Sequence, residues 1–142
     1  MRIVLEANEY ILGVRHDGHP SCRHLLRTLA DDPSRCELRI TRTIVDEVRS
    51  NLADRDTRVF FRLIRRLTAL DEDWAVPDDV CAEYEARGLK ASDASIAAYA
   101  EYVEADCLVS ENRHFLSRRS GLPFRVVTAE EFTRLLEEAG DD

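Results

Sequence analysis

Three carboxylates in the sequence stand where a parallel sheet can bring them together. Glu6 directly follows the apolar run RIVL, Glu47 lies in a segment of helical periodicity, and Asp93 lies in an alanine-rich segment. Carboxylates that share a site repel one another, so they coexist at low cost only with a cation between them. Oxygen-only ligation suits Mg²⁺ or Mn²⁺, which clamp phosphate oxygens and activate water for attack on phosphorus. This set therefore predicts metal-dependent cleavage of a phosphodiester bond.

Each acid also has an ordinary structural interpretation. Glu47 on a charged helix is typically solvated, and Asp93 in a first helical turn is favoured by the helix dipole alone. Glu111, which follows a predicted strand, is typical of a loop acid. Glu6 is harder to explain in this way, because a carboxylate that ends a buried strand is costly when it is dehydrated and unpaired. The structural alternative to a metal site is that Glu6 forms an ion pair with an arginine.

The elements that position these acids alternate between strands and helices. The runs RIVL, CELRI, DCLVS and FRVVT predict strands, and segments of helical periodicity separate them. Such alternation predicts an α/β fold with a central, mainly parallel sheet of four to five strands flanked by helices. Sites in these sheets form outside the carboxyl ends of the strands, near the switch in strand order. That is the predicted location of Glu6.

Local signals predict the ends of several helices. Thr41 or Thr43 is a candidate N-cap for the helix that carries Glu47, and Ser92 is one for the alanine-rich helix. Gly88 is expected to stop the helix VCAEYEARGL. The segment TRVFFRLIRRLTAL is expected to be one helix, and the aromatic side chains of residues 74 and 84 are expected to fill the core.

Composition limits the classes of protein that the chain can represent. Its 142 residues, 44% hydrophobic and 34% charged, indicate a single soluble domain over residues 1–142. The net charge of −8 excludes a general polyanion binder, because the mean field repels phosphate. The four cysteines lack zinc-knuckle spacing and are expected to be free thiols in a reducing compartment. No leader and no long apolar run is present, which predicts a cytoplasmic protein without a membrane span.

The acidic motifs resemble those of the PIN domain, the small nuclease fold of bacterial and archaeal toxin–antitoxin ribonucleases. VLEAN is similar to the first motif of the family, with Glu6 where aspartate is usual and Asn8 matching. TIVDEVRSNL fits the segment of the second acid, here Glu47, and LKASDASIAAYAEY closely matches that of the third, Asp93. The resemblance covers nearly the whole chain and implies a PIN-like three-layer fold.

The last motif of the family is matched by LVSENRHF. Ser110 replaces the usual threonine, Asn112 replaces the fourth acid, and Phe115 matches. The amide oxygen of Asn112 can still ligate a cation or hold a water. Three carboxylates at four positions are enough for one metal ion.

The resemblance implies a divalent-metal-dependent endoribonuclease that cleaves RNA, with Mg²⁺ or Mn²⁺ as cofactor. It also implies a homodimer that acts as the toxin of a toxin–antitoxin pair and is inhibited by an antitoxin protein. The implied metal ligands are Glu6, Glu47 and Asp93, and Asn112 joins them as a catalytic residue. The residues expected to bind RNA or orient water are Asn8, Ser110, Arg113, Arg118 and Arg119.

A second function remains open at this point. The chain could be a catalytically degenerate PIN module that binds RNA or a protein partner through its arginines, because Glu6 and Asn112 depart from the usual acids. Another basic feature is the stripe Arg58, Arg62, Arg65 and Arg66 on one helix face. This stripe is either a solvated face or a contact for phosphate or an acidic partner.

Overall fold

A five-stranded parallel sheet forms the centre of the computed structural model, which describes residues 1–140. The strands are β1 (Arg2–Leu5), β2 (Glu37–Thr41), β3 (Leu70–Asp71), β4 (Cys107–Val109) and β5 (Arg125–Val127). Their order across the sheet is β3-β2-β1-β4-β5, and every neighbouring pair is parallel. This confirms the predicted α/β architecture, and it puts the switch in strand order at β1, which Glu6 follows.

Eight α-helices flank the sheet in the described part of the chain. They are α1 (Ala7–Val14), α2 (Pro20–Asp31), α3 (Arg42–Ser50), α4 (Asp54–Leu67), α5 (Asp78–Ala86), α6 (Ala91–Tyr102), α7 (Arg113–Leu116) and α8 (Ala129–Gly140). A short 3₁₀ turn over Asp73–Ala75 precedes α5. Within residues 1–140, none of these helices combines the length and apolar character needed to cross a membrane.

The burial of β1 explains its sequence. Ile3, Val4 and Leu5 are all fully buried. Because successive strand residues point to opposite faces, both faces of β1 are covered, and an unbroken apolar run is what such a strand requires. The neighbouring strand β4 is buried in the same way at Leu108 and Val109. The core therefore holds both β1 and β4 in place, and with them the residues that follow their carboxyl ends.

Two predicted boundaries are wrong. The segment TRVFFRLIRRLTAL does not stay helical: α4 ends at Leu67, and Leu70 begins β3. The Thr68 hydroxyl donates to the Leu38 carbonyl oxygen at 2.6 Å, and β3 pairs with the end of β2. Sheet pairing thus outweighs the local helical periodicity. Ser92 is not an N-cap either, because α6 begins at Ala91 and Lys90 occupies the cap position without a side-chain hydrogen bond.

Of the other local predictions, those for Gly88 and Tyr84 are confirmed and the one for Trp74 is wrong. Gly88 follows α5 with φ of +97°, as expected of a helix-stopping glycine. Tyr84 is buried, which confirms the core prediction for that residue. Trp74 is 84% exposed, so the prediction of a core position is wrong there. It lies in the 3₁₀ turn between β3 and α5, where the chain runs over the surface.

The N-cap of α3 gives a direct test of the local structure. Thr41 is buried, and its hydroxyl oxygen accepts the Ile44 N–H at 3.3 Å, whereas Thr43 is exposed. We expect Thr41→Ala to lower the free energy of unfolding by about 1 kcal/mol, since one N–H at the helix start loses its acceptor. The matched variant Thr43→Ala should change it by less than about 0.5 kcal/mol. Urea denaturation of both variants measures the difference, and equal effects would contradict this assignment.

Candidate active site

Glu6 and Ser110 meet at the carboxyl ends of β1 and β4. The parallel register pairs Leu5 with Val109, so the next residue of each strand lies side by side. The Glu6 N–H donates to the Val109 carbonyl oxygen at 3.0 Å, which continues the pairing by one residue. The Ser110 hydroxyl donates a hydrogen bond to Glu6 Oε2. Both side chains are buried, so the serine fixes the orientation of the carboxylate.

Asn112 links this pair to Asp93. Its backbone N–H donates to Ser110 Oγ at 2.9 Å, and its side-chain Nδ2 donates to Asp93 Oδ1 at 3.4 Å. Asp93 is 8% exposed and lies in the first turn of α6. The amide oxygen of Asn112 accepts the His114 N–H at 2.9 Å and so caps α7. A continuous hydrogen-bond chain therefore runs from Glu6 through Ser110 and Asn112 to Asp93.

Glu47 lies at the same end of the sheet but is held less closely. Its side chain is exposed, on α3 directly after β2. Its negative charge is near enough to contribute to a raised pKa of Glu6. Within residues 1–140, however, the ligand atoms of Glu6, Glu47 and Asp93 do not lie within 4.8 Å of one another as a set. The three acids thus share one edge, with a wider spacing than a directly ligated ion requires.

The charge on Glu6 has no basic counterpart. Burial raises the pKa of Glu6, the negative charges of Asp93 and Glu47 add to the rise, and hydrogen bonds from Ser110 and Asn112 oppose it. In the described part of the chain, no lysine or arginine forms a salt bridge with Glu6, Glu47 or Asp93. The arginine partner considered as the structural alternative for Glu6 is therefore not observed.

The donor chemistry of this edge fits a hard divalent cation. Glu6, Glu47, Asp93 and Asn112 offer only oxygen ligands, which Mg²⁺ and Mn²⁺ prefer. Mg²⁺ usually binds through one or two carboxylates and retains several waters. The two buried acids, with Glu47 further out, match that pattern better than a closed cage of protein ligands.

Asn8 and Arg113 have exposed side chains at the same edge. Asn8 lies in the first turn of α1, two residues after Glu6, and Arg113 opens α7 directly after Asn112. Among residues 1–140, the side chains of Asn8 and Arg113 have no hydrogen bond or salt bridge. Both can therefore donate to a bound phosphate without losing an existing contact.

Arg118 and Arg119 already have intramolecular partners. The Arg118 guanidinium donates to the Arg87 carbonyl oxygen at 2.6 Å, just past the end of α5. Arg119 forms a two-pronged pair with Glu131 on α8, with a shortest distance of 2.9 Å. Their predicted role in holding RNA would require these contacts to be given up, so Arg113 is the better placed of the three arginines.

A second cluster, of Glu9, Cys22 and Glu111, was missed from the sequence. Glu9 and Cys22 are fully buried, and the Cys22 thiol donates to Glu9 Oε2 at 3.1 Å. One ligand atom from each residue lies within 4.8 Å of the others. The cluster forms because α1 packs on α2 and the β4–α7 loop passes beside them, which spacing in the sequence does not reveal. The sequence contains one indication that Glu9 is buried: it directly precedes Tyr10 and Ile11 on a helix that must cover the sheet.

The environment of this second cluster changes the acidity of both buried groups. Burial raises the pKa of Glu9 to about 8, and the Glu111 charge adds to the rise, while the hydrogen bond from Cys22 opposes it. Burial and the negative charge of Glu9 also raise the pKa of the Cys22 thiol. All four cysteines are free, as the sequence predicts.

Comparison with solved structures shows the fold. The chain is similar to the crystal structure of VapBC2 from Rickettsia felis bound to a DNA fragment from their promoter, with 17% identity, a TM-score of 0.62, and coverage of 90% of this chain and 98% of that chain. It is also similar to FitAcB from Neisseria gonorrhoeae, with 17% identity, a TM-score of 0.59, and coverage of 89% and 97%. These likenesses agree with the PIN-like architecture. No protein-family model matches the sequence, and no curated protein matches it significantly.

The raised pKa of Glu9 predicts a pH dependence of stability. Between about pH 4.5, the ordinary value, and pH 8, the folded protein retains a proton on Glu9 that the unfolded chain releases. Raising the pH through this range should therefore lower the free energy of unfolding, by at most about 1.4 kcal/mol per pH unit. Glu9→Gln should flatten this slope and stabilise the protein most at the upper end of the range.

Denaturant titrations between pH 5 and pH 8 in chelator-treated buffer measure this slope. Glu83→Gln, which changes an exposed glutamate on α5, is the matched control and should keep the wild-type slope. Identical slopes for wild type and Glu9→Gln would contradict the burial-based explanation.

Proposed function

We propose that the protein is a divalent-metal-dependent endoribonuclease and the toxin of a toxin–antitoxin pair. The observation that carries the proposal is the buried carboxylate of Glu6, which shares the carboxyl edge of the sheet with Asp93 and Glu47 and has no basic partner in residues 1–140. A cation is the simplest solution to that electrostatic problem, and phosphodiester cleavage is the chemistry that such a cation serves. The fold likeness to toxin–antitoxin complexes supports the same proposal.

In this proposal Glu6, Asp93 and Glu47 hold Mg²⁺ or Mn²⁺. The bound ion would neutralise phosphate charge and acidify water for attack on phosphorus. Ser110 keeps the Glu6 carboxylate in one orientation through its hydrogen bond. Asn112 holds both Ser110 and Asp93, so it couples the two buried acids without adding a fourth negative charge.

Substrate contact is assigned to the exposed rim of the same edge. Asn8 and Arg113 would donate to phosphate oxygens of the RNA, because Asn8 lies two residues after Glu6, Arg113 directly follows Asn112, and both side chains have free donors. Such contacts position a backbone without reading its sequence. Arg113 also places positive charge locally in a chain whose net charge of −8 otherwise repels RNA.

The remaining parts of the proposal concern partners and location. An antitoxin partner is proposed from the likeness to VapBC2 and FitAcB. A homodimer is proposed only from the resemblance of the sequence motifs to the PIN family. Four free thiols support a reducing, cytoplasmic environment. The competing function is a module that binds RNA or a protein partner without cleavage, which is favoured by the neutral Asn112 and by the exposed stripe Arg58, Arg62, Arg65 and Arg66 on α4.

The proposed chemistry requires a cation. We expect the purified protein to cleave RNA in Mg²⁺ or Mn²⁺ and to lose cleavage in excess EDTA, since within residues 1–140 no lysine or arginine forms a salt bridge with Glu6, Glu47 or Asp93 that could replace the ion. Added Mn²⁺ should restore activity. Gel assays on several RNAs measure this, and full cleavage in EDTA would rule out the mechanism.

The acidic edge, which is the carboxyl edge of the sheet with Glu6, Glu47 and Asp93, is tested by changing one of its buried acids. Asp93→Asn removes a negative charge with little change in shape, so cleavage should fall by more than about 100-fold, the upper range for a residue outside the ligand set. RNA affinity should stay equal or rise, because a group that repels phosphate is gone. Asp54→Asn, the same change in the first turn of α4, is the matched control and should leave cleavage unchanged.

Cleavage and RNA affinity should be measured at fixed salt, because phosphate contacts depend strongly on it. Unchanged cleavage in Asp93→Asn would show that the acidic edge is misassigned. Wild-type protein that binds several RNAs but cuts none, with either metal, would favour the binding module. In that case Arg113→Ala should weaken binding and reduce its salt dependence.

A further inference from the structure

The Glu9, Cys22 and Glu111 cluster contains a metal-ligand set that the proposed RNA cleavage does not use. It is carried by α1, by α2 and by the loop between β4 and α7. One ligand atom from each residue lies within 4.8 Å of the others, and it is the one such cluster among residues 1–140. Glu9 and Cys22 are fully buried, and Glu111 is half-buried.

A polar atom without a partner lies inside this cluster. Glu9 Oε2 accepts the hydrogen bond from the Cys22 thiol, but Glu9 Oε1 is buried with no hydrogen-bond partner among the described residues. A buried carboxylate oxygen is costly when it is left unpaired, and native proteins rarely leave one so. The carboxyl group of Glu9 faces both Cys22 and Glu111, so the unpartnered oxygen belongs to the same group of donors.

The charged groups that act on Glu9 are all negative. The carboxylates that act on Glu9 are Glu111 and Glu6, and in the described part of the chain neither Glu9 nor Glu111 forms a salt bridge with a lysine or arginine. Glu111 has one fixed contact: its Oε1 accepts the Ala129 N–H at 2.8 Å, at the start of α8. That contact anchors the side chain and leaves its second oxygen available.

The chemical types of the three ligand groups determine which metal ion the cluster favours. A thiolate with two carboxylates disfavours Mg²⁺, Mn²⁺ and Ca²⁺, which take oxygen ligands, and suits Zn²⁺. Bond lengths of about 2.3 Å to sulfur and about 2.0–2.2 Å to oxygen put neighbouring donors of a tetrahedral zinc ion roughly 3.5 Å apart. The Cys22 Sγ to Glu9 Oε2 distance of 3.1 Å is already close to that separation.

We propose that Glu9, Cys22 and Glu111 form a buried zinc site beneath the acidic edge, with a fourth position open toward the half-buried side of Glu111. Binding displaces the thiol proton of Cys22 and, below about pH 8, the carboxyl proton of Glu9, and both protons pass to solvent. The ion joins α1, α2 and the loop that carries Ser110 and Asn112. It would therefore hold that loop in place and stabilise the folded state. The inference does not depend on RNA cleavage.

Cobalt titration provides the test, because Co²⁺ occupies zinc sites and reports a bound thiolate by charge-transfer absorption. Chelator-treated full-length protein should bind one equivalent of Co²⁺ with a thiolate band, and Zn²⁺ should displace it. Cys22→Ser should abolish the band. Cys81→Ser, which removes the most exposed of the four thiols, should retain it. Asp93→Asn should retain it as well, which separates this site from the acidic edge.

A second variant keeps the test decisive if Cys22→Ser does not fold. Glu9→Gln retains the thiol but removes the buried carboxylate, so it should weaken zinc binding at least 10-fold and reduce the Zn²⁺-dependent rise in melting temperature. Absence of a thiolate band in wild-type protein would overturn the proposal. So would a band that Cys22→Ser leaves intact, or equal zinc binding by wild type and Glu9→Gln.

Discussion

The parallel pairing of β1 with β4 is the constraint on which the rest of the molecule depends. Its register places Glu6 beside Ser110, and the chain that leaves β4 then carries Glu111 and Asn112 past the start of α1. Both strands are buried on each face, so the register is held by the whole core rather than by the polar contacts at its end. A one-residue slip would turn every side chain of β1 to the opposite face and would separate the acids.

Buried carboxyl groups without a salt bridge to a lysine or arginine are the common property of the two polar clusters in residues 1–140. Glu6 lies at the start of α1 and Glu9 lies in its first turn, and each has a raised pKa caused first by burial. The helix dipole offsets only a small part of the cost of burying a carboxylate. The difference between the clusters is in their donors: oxygen alone around Glu6, and oxygen with sulfur around Glu9. On the proposals made above, one short helix would thus position ligands for a hard cation and for zinc.

The sequence predicted those features that depend on local pattern and on the alignment of strand ends. The sheet, the location of Glu6 and its proximity to Asp93 follow from apolar runs separated by helices. The looser position of Glu47 could not be predicted, because it depends on how α3 is oriented after β2. The zinc-type cluster could not be predicted either, since its three residues come from different elements that meet only through packing. Leu70 and Ser92 were misplaced because local periodicity and cap preference are weaker than sheet pairing and the register of α6.

A crystal soaked in Mn²⁺ tests the central claim most directly, because manganese is located by its anomalous scattering independently of any assay. The account predicts a single strong peak at the carboxyl edge of the sheet, between Glu6 and Asp93, with Glu47 or water completing the coordination. No comparable peak should occur beside Cys22, since manganese prefers oxygen ligands. A fully soaked crystal with no ion at this edge, or with manganese bound only elsewhere, would contradict the account.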